Sequence, residues 1–322
     1  MQWTDQVGRR IKLRDLRVLL AVAEARSISR AAELLAISHP VVSRTISELE
    51  QTLGVRLFDR SSQGVNLTIH GQVLLDCGVA VFDDLRSGVQ RLEFLSDPAS
   101  GEIRIGSYDV MMAGFIPTII DALARKHRKM TFHCIQGDYP YLRTLLRDRK
   151  VDVIVSRRAE VTAEADLTTE ALFRDPLLVV AGSRNRWTGR RKIGWADVLN
   201  EPWIMPEPGS TIGMLLAKGL RSIGLEPPKL TVMSNSIPLR NRLLATGRYL
   251  SVLPHSMLQL GAQHPKVLVL PMKLPEIMQP IELITLKNRT LSPTANLFIE
   301  RARETAMTVG SQLAGRRAKP RN

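Results

Sequence analysis

The sequence predicts an α/β chain: a winged helix-turn-helix, then one long helix, then a larger domain of alternating strands and helices. Three observations carry this. Residues 29–60 read as short helix, tight turn, second helix and amphipathic hairpin. Apolar residues then recur every three or four positions to about residue 95. Beyond residue 100, apolar runs of strand length alternate with helix-patterned segments.

Each element has its own justification. Leu16, Leu19, Leu20 and Ala23 make one apolar face on a helix over about 13–25. Ser27 or Ser29 suits the N-cap of a second helix, 30–35, whose Ala31, Ala32 and Leu35 permit close helix packing. Ser38 is a candidate cap for a third helix, with Pro40 where a missing N–H costs nothing. That helix turns Val42, Ile46, Leu49 and Leu53 inward, and Gly54 suits its left-handed end. Its other face presents His39, Ser43, Arg44 and Ser47, hydrogen-bonding groups of the kind that meet base edges and phosphates. A plain solvated face is the alternative; the Ala-Ala helix before it and the hairpin after it favour double-stranded DNA. The hairpin pairs 57–60 with 65–68 about a Ser-Ser-Gln-Gly turn. Arg60 ends its first strand and can reach a phosphate or remain a surface arginine.

From Thr68 a helix is expected to about Leu95. Leu74, Gly78, Val81, Leu85, Gly88, Leu92 and Leu95 form a seven-residue repeat suited to a dimer seam. Such a dimer presents two recognition helices to half-sites about 34 Å apart. Residues 97–101 are a linker. Strands are expected at 103–107, 131–135, 151–155, 177–181, 229–233, 250–254, 267–270 and 281–286. Helices are expected at 114–126, 141–149, 212–223, 237–245 and 293–308. This alternation predicts parallel sheets with crossover helices.

Composition narrows the function classes. A chain of 322 residues suits two or more domains. The formal charge of +14 is not concentrated in the helix-turn-helix: residues 1–70 hold +3, 71–96 hold −2 and 97–322 hold +13. The terminal run from Arg316 to Arg321 reads as a disordered basic tail. Cys77 and Cys134 lack metal-type spacing and read as buried, inert thiols. No apolar run is of membrane-spanning length and no signal-peptide pattern follows Met1, so a soluble, cytoplasmic chain without membrane contact is expected. Hydrolase elbows, metalloprotease helices and phosphate loops are missing from the large domain, so no catalytic residue, metal or cofactor is expected. Ser210 and Thr211, beside a helix start, suit either anion binding or simple capping.

Ala31-Ala32, Ser38-His39-Pro40-Val41-Val42-Ser43-Arg44, Leu49-Glu50 and Leu57-Phe58-Asp59-Arg60 together resemble the N-terminal domain of LysR-type transcriptional regulators. More loosely, residues 234–254 are similar to a stretch of that family's effector domain. The resemblance implies DNA contacts at His39, Pro40, Ser43, Arg44 and Arg60. His39 replaces the family's usual glutamine, a residue suited to adenine. It also implies a two-lobed α/β effector domain like a periplasmic binding protein, a homodimer assembling to a tetramer, and an operator of dyad symmetry. Mapped here, the DNA-binding domain is 1–68, the dimerisation helix 69–96, the effector domain 97–310 and the tail 311–322. Lobe one is 101–174 with 281–306, and lobe two is 177–271. A small-molecule effector would sit between lobes at carboxyl ends of strands. Those ends carry Ser107, Tyr108, Asp109, Asp138, Tyr139, Ser156, Arg157, Arg158, Ser210 and Thr211. Arg157 and Arg158 suggest a carboxylate or other anion. The reading is a non-enzymatic, effector-controlled regulator. The alternative is a solute-binding or enzymatic α/β domain with an appended DNA-binding unit.

Overall fold

The computed structural model describes residues 10–61, 64–158, 163–226, 228, 230–260, 267–272, 274 and 280–317. Two compact units meet within one helix: unit 1 is Met1–Ser87 and unit 2 is Gly88–Asn322.

Unit 1 packs α1 (Leu13–Ala25), α2 (Ile28–Leu35) and α3 (His39–Leu53) around Leu19, Val22, Ala31, Val42 and Ile46, all nearly inaccessible. Ser27 caps α2 by accepting from the Arg30 N–H at 3.4 Å. Ser38 takes the N-cap position of α3, but its side chain makes no capping bond. The turns need left-handed residues, and two are not glycine: Arg26 at φ 50° and Ala36 at φ 53°. Gly54, at φ 68°, closes α3 without that cost. Strands β1 (Phe58–Ser61) and β2 (Gly64–Leu67) form the wing, with Ser61 paired to Gly64. Glu50 ties wing to helix: its Oε1 accepts from the N–H groups of Leu57 at 2.8 Å and Phe58 at 3.3 Å. Helix α4 (Ile69–Ser96) then leaves the wing so closely that a Cβ on Gly71 would lie 2.0 Å from the Leu57 carbonyl oxygen. Gly71→Ala should therefore destabilise unit 1 by about 1–3 kcal/mol, read by denaturant unfolding. An unchanged midpoint would show that the helix can move off the wing at no cost.

The described strands of unit 2 form two five-stranded sheets. The first runs β4-β3-β5-β12-β6, from β3 (Ser100–Ser107), β4 (Lys129–Gln136), β5 (Val153–Ser156), β6 (Leu167–Phe173) and β12 (Ile281–Leu286). The second runs β11-β7-β10-β8-β9, from β7 (Leu177–Gly182), β8 (Trp203–Met205), β9 (Leu230–Met233), β10 (Leu250–Pro254) and β11 (Val267–Val269). Helices α5 (Asp109–Ala113), α6 (Phe115–Lys126), α7 (Tyr139–Arg147) and α12 (Pro293–Arg317) serve the first sheet. The second has α8 (Trp195–Val198), α9 (Thr211–Ser222), α10 (Ile237–Leu244) and α11 (His255–Leu260). Phe115, Ile119, Phe298 and Ala302 fill the core of the first sheet, and Val179, Trp203 and Leu220 that of the second.

Several expectations are corrected. The sheets are mixed rather than parallel: β12 runs antiparallel to β5 and β6, and β7 antiparallel to β10 and β11. Strands β6 and β7 belong to different sheets and are joined by three residues with no helix, so this step lacks the crossover helix that a parallel strand-helix-strand connection needs. Strand β12 enters the first sheet after the strands of the second and runs antiparallel to both of its neighbours. Strands β6 and β8 and the short helices α5, α8 and α11 escape periodicity because they are brief or bounded by polar residues. Helix α12 continues to Arg317, so part of the expected disordered tail is helical, and 318–322 lie outside the described residues. Ala314, Gln312 and Leu313 are good helix formers, and proline comes only at 320. Cys77 and Cys134 are exposed free thiols rather than buried ones. Cys134 lies on β4, an outer strand of its sheet with one face uncovered.

Candidate functional site

The face of α3 expected to read DNA is laid out along its first two turns. His39, Pro40, Arg44 and Ser47 are exposed and Ser43 is half-buried. Arg44 Nε donates to Glu48 one turn on at 2.8 Å, which holds the guanidinium along the helix. Ser47 Oγ donates back to the Ser43 carbonyl at 3.0 Å, so its hydroxyl is partly committed. Val41, 41% exposed beside this row, adds an apolar group that helical periodicity alone left unassigned. The backbone of Arg60 lies in β1, and its side chain falls outside the described residues.

In unit 2 a cavity of about 340 Å³ opens between the two sheets at carboxyl ends of strands. Tyr108, Asp138, Tyr139, Ser156, Arg157, Ser210 and Thr211 line it, with Asp109. Ser107 does not: it is buried below, donating to the Val155 carbonyl. Arg158 also turns away, correcting its assignment to the anion subsite. Its guanidinium grips Glu282 of β12 with bonds of 2.6 and 2.9 Å in a buried pair. Gln136, Gly137, Ile212 and Asn235 were missed. Gln136 ends β4 and Asn235 follows β9, so applying the strand-end rule to every strand would have found both.

The donors around the cavity are unevenly satisfied. Arg157 is 2% exposed; its Nη2 donates to the Asp175 carbonyl at 2.8 Å, but its buried Nε has no partner. The buried Tyr108 hydroxyl has none either. Burial pushes the Tyr108 phenol far above its usual value, against the pull of Arg157. Across the cavity, Ser210 stands at the N-cap of α9, its Oγ accepting from the Gly213 N–H at 3.1 Å. It both caps the helix and lines the site. Asp138 caps α7 through the Tyr141 N–H at 3.2 Å, and Tyr139 donates to Glu164 at 2.6 Å. Burial raises the Asp109 carboxyl, partly countered by Arg240. Behind Arg157, Asp175 on the crossing between the sheets accepts from the Ser256 N–H at 2.8 Å and hydroxyl at 2.6 Å. Burial raises its carboxyl too, and Arg157 lowers it. Among the described residues no cluster of three His, Cys, Asp or Glu could hold a metal ion. No described helix is long and apolar enough to cross a membrane.

A winged helix-turn-helix on one chain with a two-lobed, cavity-bearing α/β domain is the architecture of a DNA-binding protein that carries a small-molecule sensor. Comparison with known proteins gives the family. Residues 13–72 match the bacterial regulatory helix-turn-helix protein, lysR family, and residues 96–307 match the LysR substrate binding domain. The chain belongs to the LysR family of transcriptional regulators. Relatives include the transcriptional regulator YdcI of Escherichia coli, 25% identical over 94% of this chain and 99% of that one. Another is the regulator PcaQ of Agrobacterium fabrum, 25% identical over 93% and 96%. Full-length OxyR from Pseudomonas aeruginosa shares the fold with a TM-score of 0.64, at 22% identity, covering 92% of this chain and 94% of that one. Full-length CbnR complexed with its target DNA does so at 0.61 and 20% identity, covering 92% and 100%.

Proposed function

We propose that this regulator works in the cytoplasm as a homodimer assembled into a tetramer on an operator of dyad symmetry. A small carboxylate bound in the interlobe cavity controls it. One observation carries the ligand class: Arg157, whose buried Nε has no partner, lines the same cavity as the N-terminus of α9. A carboxylate there would accept from Arg157 and Tyr108 on one lobe and from free helix N–H groups on the other. Each charge-assisted bond contributes about 1.5–3 kcal/mol, and bonds to both lobes favour the closed state. Two carboxylates line the cavity, Asp109 and Asp138. Burial raises the Asp109 carboxyl, which weakens one of the two charges that would repel an anion, and Asp138 is engaged as the cap of α7. Thermal unfolding of the full chain with a panel of small carboxylates, against their amides, tests this. Stabilisation by at least one carboxylate is expected; a panel with no effect would remove the assignment.

His39, Pro40, Ser43, Arg44, Ser47 and Arg60 are proposed as the DNA contacts. Histidine offers one donor and one acceptor when neutral, where glutamine makes a paired contact to adenine. His39→Gln should change base preference at one position of each half-site by about 1–3 kcal/mol in a selection on genomic fragments. An unchanged preference would mean that His39 does not read a base, and no protected dyad site in footprinting would sink the operator reading. The dimer rests on α4, where Leu85, Val89, Leu92 and Leu95 are 51%, 47%, 66% and 79% exposed. An apolar row of that extent on one helix needs a partner. Leu92→Asp should yield monomers in sedimentation; intact dimers would place the seam elsewhere.

A further inference from the structure

The charge of the chain has a location that the regulator reading leaves unused. Residues 175–280 hold +7 of the formal charge, against +3 for residues 1–70. The stretch 183–192 alone carries Arg184, Arg186, Arg190, Arg191 and Lys192 with no acidic residue, and all five are exposed.

Topology gathers this stretch with a sixth cation. The carboxyl end of β7 lies beside the amino ends of β8 and β10, because Leu250 pairs with both Ala181 and Trp203. Asn185 Nδ2 donates to the Gly247 carbonyl at 3.0 Å, which brings exposed Arg248 alongside. A Cβ on Gly247 would lie 2.8 Å from the Cβ of Arg184, so the two loops touch. Arg186 pairs with Glu201 and stands 5.3 Å from the Trp187 ring centroid; Arg248 stands 5.9 Å from that of Tyr249. The other cations of 183–192, and Arg248, have no carboxylate partner among the described residues. This edge is the reverse of the sheet end that carries the cavity, since Ser210 and Asn235 follow the carboxyl ends of β8 and β9.

We propose that this outer edge of the second lobe binds the phosphate backbone of duplex DNA. It would add sequence-independent affinity that the weakly charged helix-turn-helix unit does not supply. Arginine forks held against aromatic rings match phosphate oxygens in pairs, and binding to the backbone needs no base reading. Linkage to the DNA-binding first unit would raise the effective concentration of duplex around the second unit, this edge included. An acidic protein segment is a different partner and becomes an outcome of the test.

Binding of the full chain to a random-sequence duplex of about 80 base pairs is measured over a range of salt. Each phosphate that is no longer neutralised by a cation lowers the slope of log K against log salt by about 0.9. The triple variant Arg190→Ala, Arg191→Ala, Lys192→Ala should lower that slope by about 2–3 and weaken low-salt binding at least about tenfold. A control triple, Arg125→Ala, Lys126→Ala, Arg128→Ala, removes equal charge from α6 and the turn after it, and should leave the slope within about 0.5 of wild type. Equal slopes for wild type and the first triple overturn the proposal. So do equal reductions in both triples, which would reflect net charge alone. Weaker retention of the first triple on polyglutamate with an unchanged DNA slope overturns it in favour of an acidic partner. Failure of the wild-type chain to bind any duplex would instead overturn DNA binding by the whole protein.

Discussion

Asp152→Ala should lower the stability of unit 2 by about 3–5 kcal/mol, the range for removing one partner of a buried ion pair. The carboxylate stands between two arginines. Its Oδ2 accepts from the Arg104 N–H at 2.8 Å, and its Oδ1 from Arg104 Nη2 at 2.6 Å and Arg289 Nη2 at 2.7 Å. The Asp152 N–H donates in turn to the Arg104 carbonyl at 2.8 Å. The Arg289 guanidinium is buried and also donates to the Val151 carbonyl at 2.7 Å, so alanine at 152 would take away a carboxylate that it holds. These bonds fasten β3 to the residue just before β5, the strand that ends at Ser156 and Arg157 of the cavity. Asp152→Asn, which keeps an acceptor, should cost less. Denaturant unfolding followed in the effector half measures both variants. A drop below about 1 kcal/mol for alanine would mean that Arg289 finds water or another acceptor at little cost.

The second large effect is expected at Arg157, where ligand binding and fold integrity meet. Arg157→Ala should abolish carboxylate-induced thermal stabilisation and also destabilise the chain by about 3 kcal/mol or more, since Asp175 would be left without its buried cation. The Arg157 Nη2 lies 3.9 Å from Asp175 Oδ2, and both side chains are nearly inaccessible. Arg157→Lys separates the two consequences. It keeps a cation beside Asp175, so the unliganded melting temperature should stay near wild type. It lacks the Nε–H and the planar fork, so carboxylate affinity should fall about tenfold or more. A lysine variant with the wild-type response would show that charge alone, not the fork, recognises the ligand. Because Asp175 sits on the crossing between sheets and holds Ser256 in the first turn of α11, Arg157 joins the cavity to the segment across which the lobes would close.

Much of the first unit was legible in the sequence. Helical periodicity placed α1 at Leu13–Ala25 and ended α3 at Gly54, because short-range apolar spacing and one left-handed glycine determine those features locally. The resemblance at Leu49-Glu50 was visible as a pattern, whereas its physical cause was not. Only the folded chain shows Glu50 accepting from the wing at Leu57 and Phe58. For the cavity, the strand-end rule placed most lining residues correctly, since side chains after a strand depend on where the strand stops. It could not say which of two adjacent arginines faces the cavity. Arg157 and Arg158 are equivalent in sequence; the returning strand β12 separates them by bringing Glu282 to Arg158, 124 positions along the chain.

The sequence by itself determined the winged helix, the long helix and the α/β class, because each depends on local spacing and on capping residues within a few positions. Tertiary structure decided the direction of β7 and β12, the partner of Arg158, and the gathering of the 183–192 cations beside Arg248. All three depend on where a distant segment re-enters a sheet. Register and crossover set that, and neither leaves a periodic trace in the chain.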